Sequence, residues 1–77
     1  MIETYFARIT DVLPSRVITT IPSDAGKEPI VRTFDSGPMV GIIDLRIGVV
    51  FKITIETNPG EVIIRYAPAN PNDYDEN

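Results

Sequence analysis

Apolar and polar positions alternate along much of this chain, and the alternation is clearest in residues 50–57. Phe51, Ile53 and Ile55 lie on one parity there, and lysine, threonine and glutamate lie on the other. This two-residue period is typical of a β-strand with one buried face. The strand ends at Asn58-Pro59-Gly60, where proline presets its own φ and glycine accepts a positive φ, as a turn requires.

The residues after this turn predict the returning strand of a hairpin. Residues 61–67 again alternate, and a tight turn at Pro59-Gly60 pairs Ile55 with Ile64 and Ile53 with Tyr66. Both apolar parities then lie on the same face of the hairpin, which supports this register.

Shorter runs of the same kind predict the remaining strands. They are residues 3–12, 16–21, 30–34 and 42–47. Ile, Val and Thr together supply 26 of the 77 residues, which favours strand over helix. We therefore expect an all-β fold, a small antiparallel barrel or sandwich of five to six strands. SH3-like and OB-like barrels fit the length, although the pattern predicts no helix between the third and fourth strands, where OB barrels usually carry one.

The chain is short enough for one domain only, which we assign to residues 1–69. Residues 70–77 are predicted to be a flexible acidic tail, because they combine asparagine, proline and three carboxylates with one aromatic residue. A core of this size gives little stability, and the chain has no cysteine for a disulfide. Association of two copies is the remaining means of stabilisation, so we expect a homodimer.

The composition argues against an enzyme and against a cofactor. There is no His, Cys or Trp, so the usual ligands of zinc, copper and haem are missing, and we predict no metal site, no cofactor and no catalytic residue. The three serines lie in turn-like settings beside Pro, Gly or Asp. These observations favour a binding protein.

No segment of the sequence predicts a membrane span or a signal peptide. The longest nearly apolar stretch, residues 37–50, is interrupted by Asp44 and Arg46. We expect a cytoplasmic protein, and if the chain is a small viral inhibitor of a host protein, we expect it in the cytoplasm of the infected cell.

The net charge of −4 suggests a basic protein as partner. Carboxylates on a rigid scaffold can imitate DNA phosphates, so the first hypothesis is an inhibitor that covers the nucleic-acid-binding face of its target. The candidate residues for this contact are Glu3, Asp11, Asp24, Glu28, Asp35, Glu61, Asp73, Asp75 and Glu76.

Two alternatives remain open from the sequence. Arg46, Lys52 and Arg65 are candidates for a basic face that binds nucleic acid beside an exposed aromatic residue, with the acidic tail as regulator. A structural subunit of a larger assembly would show the same features. Clustering distinguishes the first two hypotheses, since carboxylates gathered on one face favour the inhibitor and gathered bases favour nucleic acid.

Overall fold

The computed structural model describes residues 1–23 and 27–74, which form five antiparallel strands in one open sheet. The strands are β1 (Ile2–Val12), β2 (Arg16–Ile21), β3 (Ile30–Asp35), β4 (Val50–Asn58) and β5 (Glu61–Pro68). Two 3₁₀ turns, Gly37–Met39 and Pro71–Asp73, are the only helical elements in this part of the chain. The prediction of a small all-β fold is confirmed, and its sheet is open along one side.

The strand order across the sheet is β3-β2-β1-β4-β5. β1 is central, and it pairs with β2 on one side and with β4 on the other. The neighbouring order β4-β1-β2-β3 is a Greek key, because the fourth strand returns over a long connection to lie beside the first.

The C-terminal hairpin has the predicted register. Ile55 pairs with Ile64 and Ile53 with Tyr66, with Asn58 opposite the first residue of β5. Gly60 has a φ of +80°, the positive value that the turn sequence requires. Local alternation and turn chemistry were therefore sufficient to predict this element.

The predicted strand over residues 42–47 is wrong, because these residues lie in the irregular connection between β3 and β4. The amide N–H groups of Ile42 and Ile43 both donate to the Met39 carbonyl, so the backbone turns locally instead of pairing. Gly41 and Gly48 both have positive φ, which a regular strand does not accommodate. No helix in the described ranges is long and apolar enough to cross a membrane.

The apolar face of the curved sheet encloses the core, and the β3–β4 connection closes one end of it. The buried residues that form this core are Ala7, Ile9, Val17, Met39, Ile43, Phe51 and Ile53. Phe34, Phe51 and Tyr66, from β3, β4 and β5, pack edge to face with ring centroids 6.1–6.2 Å apart. These rings bring the two outer strands toward each other at this end of the sheet.

Residues 70–74 differ from the flexible tail predicted for residues 70–77. The chain turns at Pro71–Asp73, where the Asn70 N–H donates to Asp73 Oδ2 at 3.1 Å. Tyr74 is buried, its ring lies 4.3 Å from the Arg8 guanidinium, and its hydroxyl bonds the Thr20 hydroxyl at 3.2 Å. The remaining residues of the predicted tail, 75–77, lie outside the described residues. Tyr74 therefore attaches this C-terminal segment to the outer face of β1 and β2.

Candidate functional site

The inner face of the sheet is open to solvent at the end opposite the β3–β4 connection. A cavity of about 290 Å³ lies there, lined by Tyr5, Ile21, Ile30, Arg32, Phe34, Ile53 and Ile55. We call this cavity the mouth. Strand register places these residues together, because β1, β2, β3 and β4 each direct their alternate side chains to the same face.

The mouth is mainly apolar and contains one cation. Ile30 and Tyr5 remain about 40% exposed, although they belong to the face that forms the core further along the sheet. Within residues 1–23 and 27–74, no carboxylate forms an ion pair with Arg32. Its backbone carbonyl accepts a 2.9 Å hydrogen bond from the buried Thr19 hydroxyl, which helps to fix the β3 backbone. The site thus offers apolar contact area with a single guanidinium at one side.

Two tyrosines on this face have perturbed ionisation. The Tyr5 hydroxyl donates to Glu3 Oε2 at 2.7 Å, and this bond, with the negative charge of Glu3, raises the pKa of Tyr5. Burial raises the pKa of Tyr66, and the charge of Asp35 adds to the effect. Both phenols therefore remain protonated at neutral pH and can donate hydrogen bonds there.

The acidic candidates do not lie on one face. Strand direction places Glu3, Glu28 and Glu61, all exposed, and the half-buried Glu56 at the end of the sheet where the mouth opens, with Glu56 and Glu61 on its outer face. Asp11, Asp35 and Asp73 are exposed near the opposite end of the sheet, and Asp24, Asp75 and Glu76 lie outside the described residues. No three acidic side chains in the described ranges converge closely enough to hold a metal ion.

Two of the three basic candidates lie close together. Lys52 and Arg65 are on the outer face of β4 and β5, where Lys52 is opposite Ala67 and Arg65 is opposite Thr54. The half-buried Phe6 is directly opposite Lys52 on β1. Arg46 is elsewhere, in the β3–β4 connection, where it forms an exposed ion pair with Asp44.

Sequence reasoning missed Arg32 and Arg8. The alternation of Ile30, Arg32 and Phe34 contained the signal for Arg32, because residues of one parity share a face of a strand. Arg8 contacts Tyr74, which is 66 residues later in the chain, and no local sequence pattern indicates a contact over that distance.

Comparison of the chain with protein-family models, with curated proteins and with solved structures gives no match. Function is therefore inferred from the residues themselves.

Proposed function

We propose that this chain is a non-enzymatic binding protein that docks on another protein through its mouth. The observation that carries the proposal is the exposed apolar lining, since a folded monomer gains stability by covering such residues. Ile30 and Tyr5 stay partly exposed while Ile53, at the base of the same cavity, is only 2% exposed. An apolar side chain of a partner that entered the mouth would contact both the partly exposed Ile30 and Tyr5 and the buried Ile53.

The fold is proposed to be an OB-like, partly open barrel. Its supporting features are the five strands, the Greek-key order and a capping segment between the third and fourth strands. Met39 and Ile43 from that segment are buried in the core, in the position where OB barrels usually carry a helix. OB barrels bind their ligands on rigid strands and adjacent loops, which agrees with a role in binding.

The carboxylates around the mouth favour a partner with a basic surface. Glu3 and Glu28 are exposed beside the apolar lining, Glu3 through its bond to Tyr5 and Glu28 next to Ile30, so cationic groups of a partner would lie beside them. A partner that uses that basic surface for nucleic acid would be inhibited by occlusion. Carboxylates lie at both ends of the sheet and not in one row that could imitate DNA phosphates. The apolar contact is therefore the main source of affinity in this proposal.

The test compares two substitutions on neighbouring residues of β3. Ile30→Asp places a charge in the mouth, whereas Val31→Asp places the same charge on the opposite face, where Val31 is 60% exposed. A partner captured from lysate, then purified and titrated by calorimetry, should bind the Ile30→Asp protein at least about tenfold more weakly, a loss of about 1.4 kcal/mol. The Val31→Asp protein should bind like wild type. Equal binding by both variants would contradict the mouth as the docking site.

A nucleic-acid-binding function is the second candidate, favoured by the pair Lys52 and Arg65 beside Phe6. It would use the outer face of β1, β4 and β5. Fluorescence anisotropy with a labelled single-stranded DNA should then show binding that weakens as salt rises. Replacement of Lys52 and Arg65 by Glu should abolish this binding, and Ile30→Asp should leave it unchanged. Lack of salt-dependent binding would remove this candidate.

A further inference from the structure

No backbone group of residues 1–23 and 27–74 hydrogen-bonds to the outer edge of β5, and strand register identifies the groups that are left unpaired there. The Ile9 N–H donates to the Val49 carbonyl and the Thr57 N–H to the Met1 carbonyl, so odd-numbered residues of β4 bond to β1. Even-numbered residues of β4 therefore bond to β5, through their odd-numbered partners. It follows that Val62, Ile64 and Tyr66 direct their N–H and C=O groups away from the sheet.

Two antiparallel copies of this edge strand would match each other in charge and in apolar residues. Residues 61–65 read Glu-Val-Ile-Ile-Arg, with opposite charges at the two ends and three apolar residues between them. Glu61 and Arg65 share the outer face of the sheet, but four residues of strand separate them by about 13 Å, so they cannot pair within one chain. Neither forms an ion pair with any other described residue.

We propose that β5 pairs antiparallel with β5 of a second copy of this chain, centred on Ile63. In this register Glu61 of each copy is opposite Arg65 of the other, and Ile63 is opposite its own counterpart. Val62 is opposite Ile64, and these are the residues whose backbone groups point outward, so they form the hydrogen-bonded pairs. The arrangement has the two-fold symmetry usual for homodimers.

Charge favours β5 over the other free edge of the sheet, and pairing through β5 also covers exposed apolar residues. Val62 is 63% and Ile64 52% exposed, and the pairing covers both. On β3 the only charged residues, Arg32 and Asp35, lie on opposite faces, so an antiparallel pair of β3 strands cannot place them opposite each other. The mouth is lined by β1 to β4 and contains no β5 residue, so both copies keep it available.

Charge reversal tests the register. Glu61→Arg and Arg65→Glu each place like charges opposite one another twice per dimer, and each should raise the dimer dissociation constant about tenfold or more in low salt. The double variant Glu61→Arg/Arg65→Glu should regain wild-type affinity. An equimolar mixture of the two single variants should associate as well, because one chain then carries two cations at these positions and the other two anions. Glu28→Arg, an exposed charge reversal outside the strands, is the matched control. Sedimentation velocity over a range of protein concentrations gives the dimer dissociation constant of wild type, of each variant and of the mixture.

A disulfide gives an independent test, since the natural chain has no cysteine. Ile63→Cys places two thiols opposite each other at a non-hydrogen-bonded pair, where side chains approach most closely, and oxidation should yield a covalent dimer. Val62→Cys, opposite Ile64 in this register, should cross-link much less. A wild-type chain that remains monomeric at all concentrations overturns the proposal. A dimer that is insensitive to both charge reversals, or that cross-links equally through both cysteines, overturns the register.

Discussion

Tyr74 shows how much a single residue can organise in a chain this small. Its ring covers the Arg8 guanidinium at 4.3 Å, and its hydroxyl contacts the Thr20 hydroxyl, so one side chain joins the C-terminal segment to β1 and β2. A cation–π contact contributes about 0.5–2 kcal/mol, and ring burial adds to it. The composition of the surrounding residues, rich in asparagine and acids, conceals this attachment in the sequence.

Replacement of Tyr74 should separate the contributions of its ring and its hydroxyl. Tyr74→Phe removes only the bond with Thr20 and should lower the free energy of unfolding by about 0.5–1.5 kcal/mol. Tyr74→Ala also removes the buried ring and should cost about 2–4 kcal/mol. Urea denaturation measures both, with Tyr5→Phe on the exposed edge of the mouth as the control. An unchanged stability in Tyr74→Ala would contradict the docking of this segment.

At the scale of elements, the β4–β5 hairpin is the part that local sequence determines. Its alternation, turn and register are encoded within 19 consecutive residues, from Val50 to Pro68. Gly60 has positive φ, and a Cβ built there would meet nothing within 4 Å. The need for glycine at this turn is therefore a matter of backbone conformation alone.

Alanine substitution tests that reason for Gly60. Gly60→Ala should lower the free energy of unfolding by about 1–2 kcal/mol, because an L-residue is strained in the left-handed region. Gly37 also has space for a Cβ, but its φ is not positive, so Gly37→Ala should have little effect. Thermal denaturation of the two variants side by side gives the comparison. Equal losses would mean that the turn does not depend on the conformation of Gly60.

Elements whose structure depends on distant contacts were predicted less well. Residues 42–47 show strand-like alternation, yet Ile43 and Leu45 face the core from an irregular segment that has positive-φ glycines on both sides. The pairing of β1 with β4 could not be predicted, because a strand pattern does not specify its partner. The mouth depends on the same pairing and on the curvature of the sheet. The sequence pattern therefore assigned its lining residues to separate strands, but it could not show that they surround one cavity.

At the scale of the whole molecule, the aromatic contacts connect strands that do not pair. Phe34 on β3 and Tyr66 on β5 belong to the two edges of the sheet, and their rings lie 6.2 Å apart. This contact keeps the sheet curved around its core, while the opposite end remains open as the mouth. Stability of the curved form therefore depends on Tyr66 remaining neutral within a partly buried cluster.

Stability should fall in alkaline solution because of Tyr66. Burial and Asp35 raise its pKa in the folded protein above the ordinary value of 10.0, so the unfolded chain loses the proton first. The unfolded state then binds fewer protons, and the free energy of unfolding decreases as pH rises above about 10. Urea denaturation between pH 8 and 11 should show this decrease, and Tyr66→Phe should make it shallower. The same slope in both proteins would assign the decrease to other groups.

The central position of β1 has a consequence for folding kinetics. β1 is synthesised before β4, and the two strands can pair only after a further 38 residues, from Leu13 to Val50, have been made. Until then β1, β2 and β3 can form only a three-stranded sheet whose β1 edge is unpaired, and such edges are prone to aggregation. Closing so long a loop also slows folding relative to local hairpins. The pairing of β1 with the β4–β5 hairpin, whose own contacts are local in sequence, is therefore expected to set the folding rate.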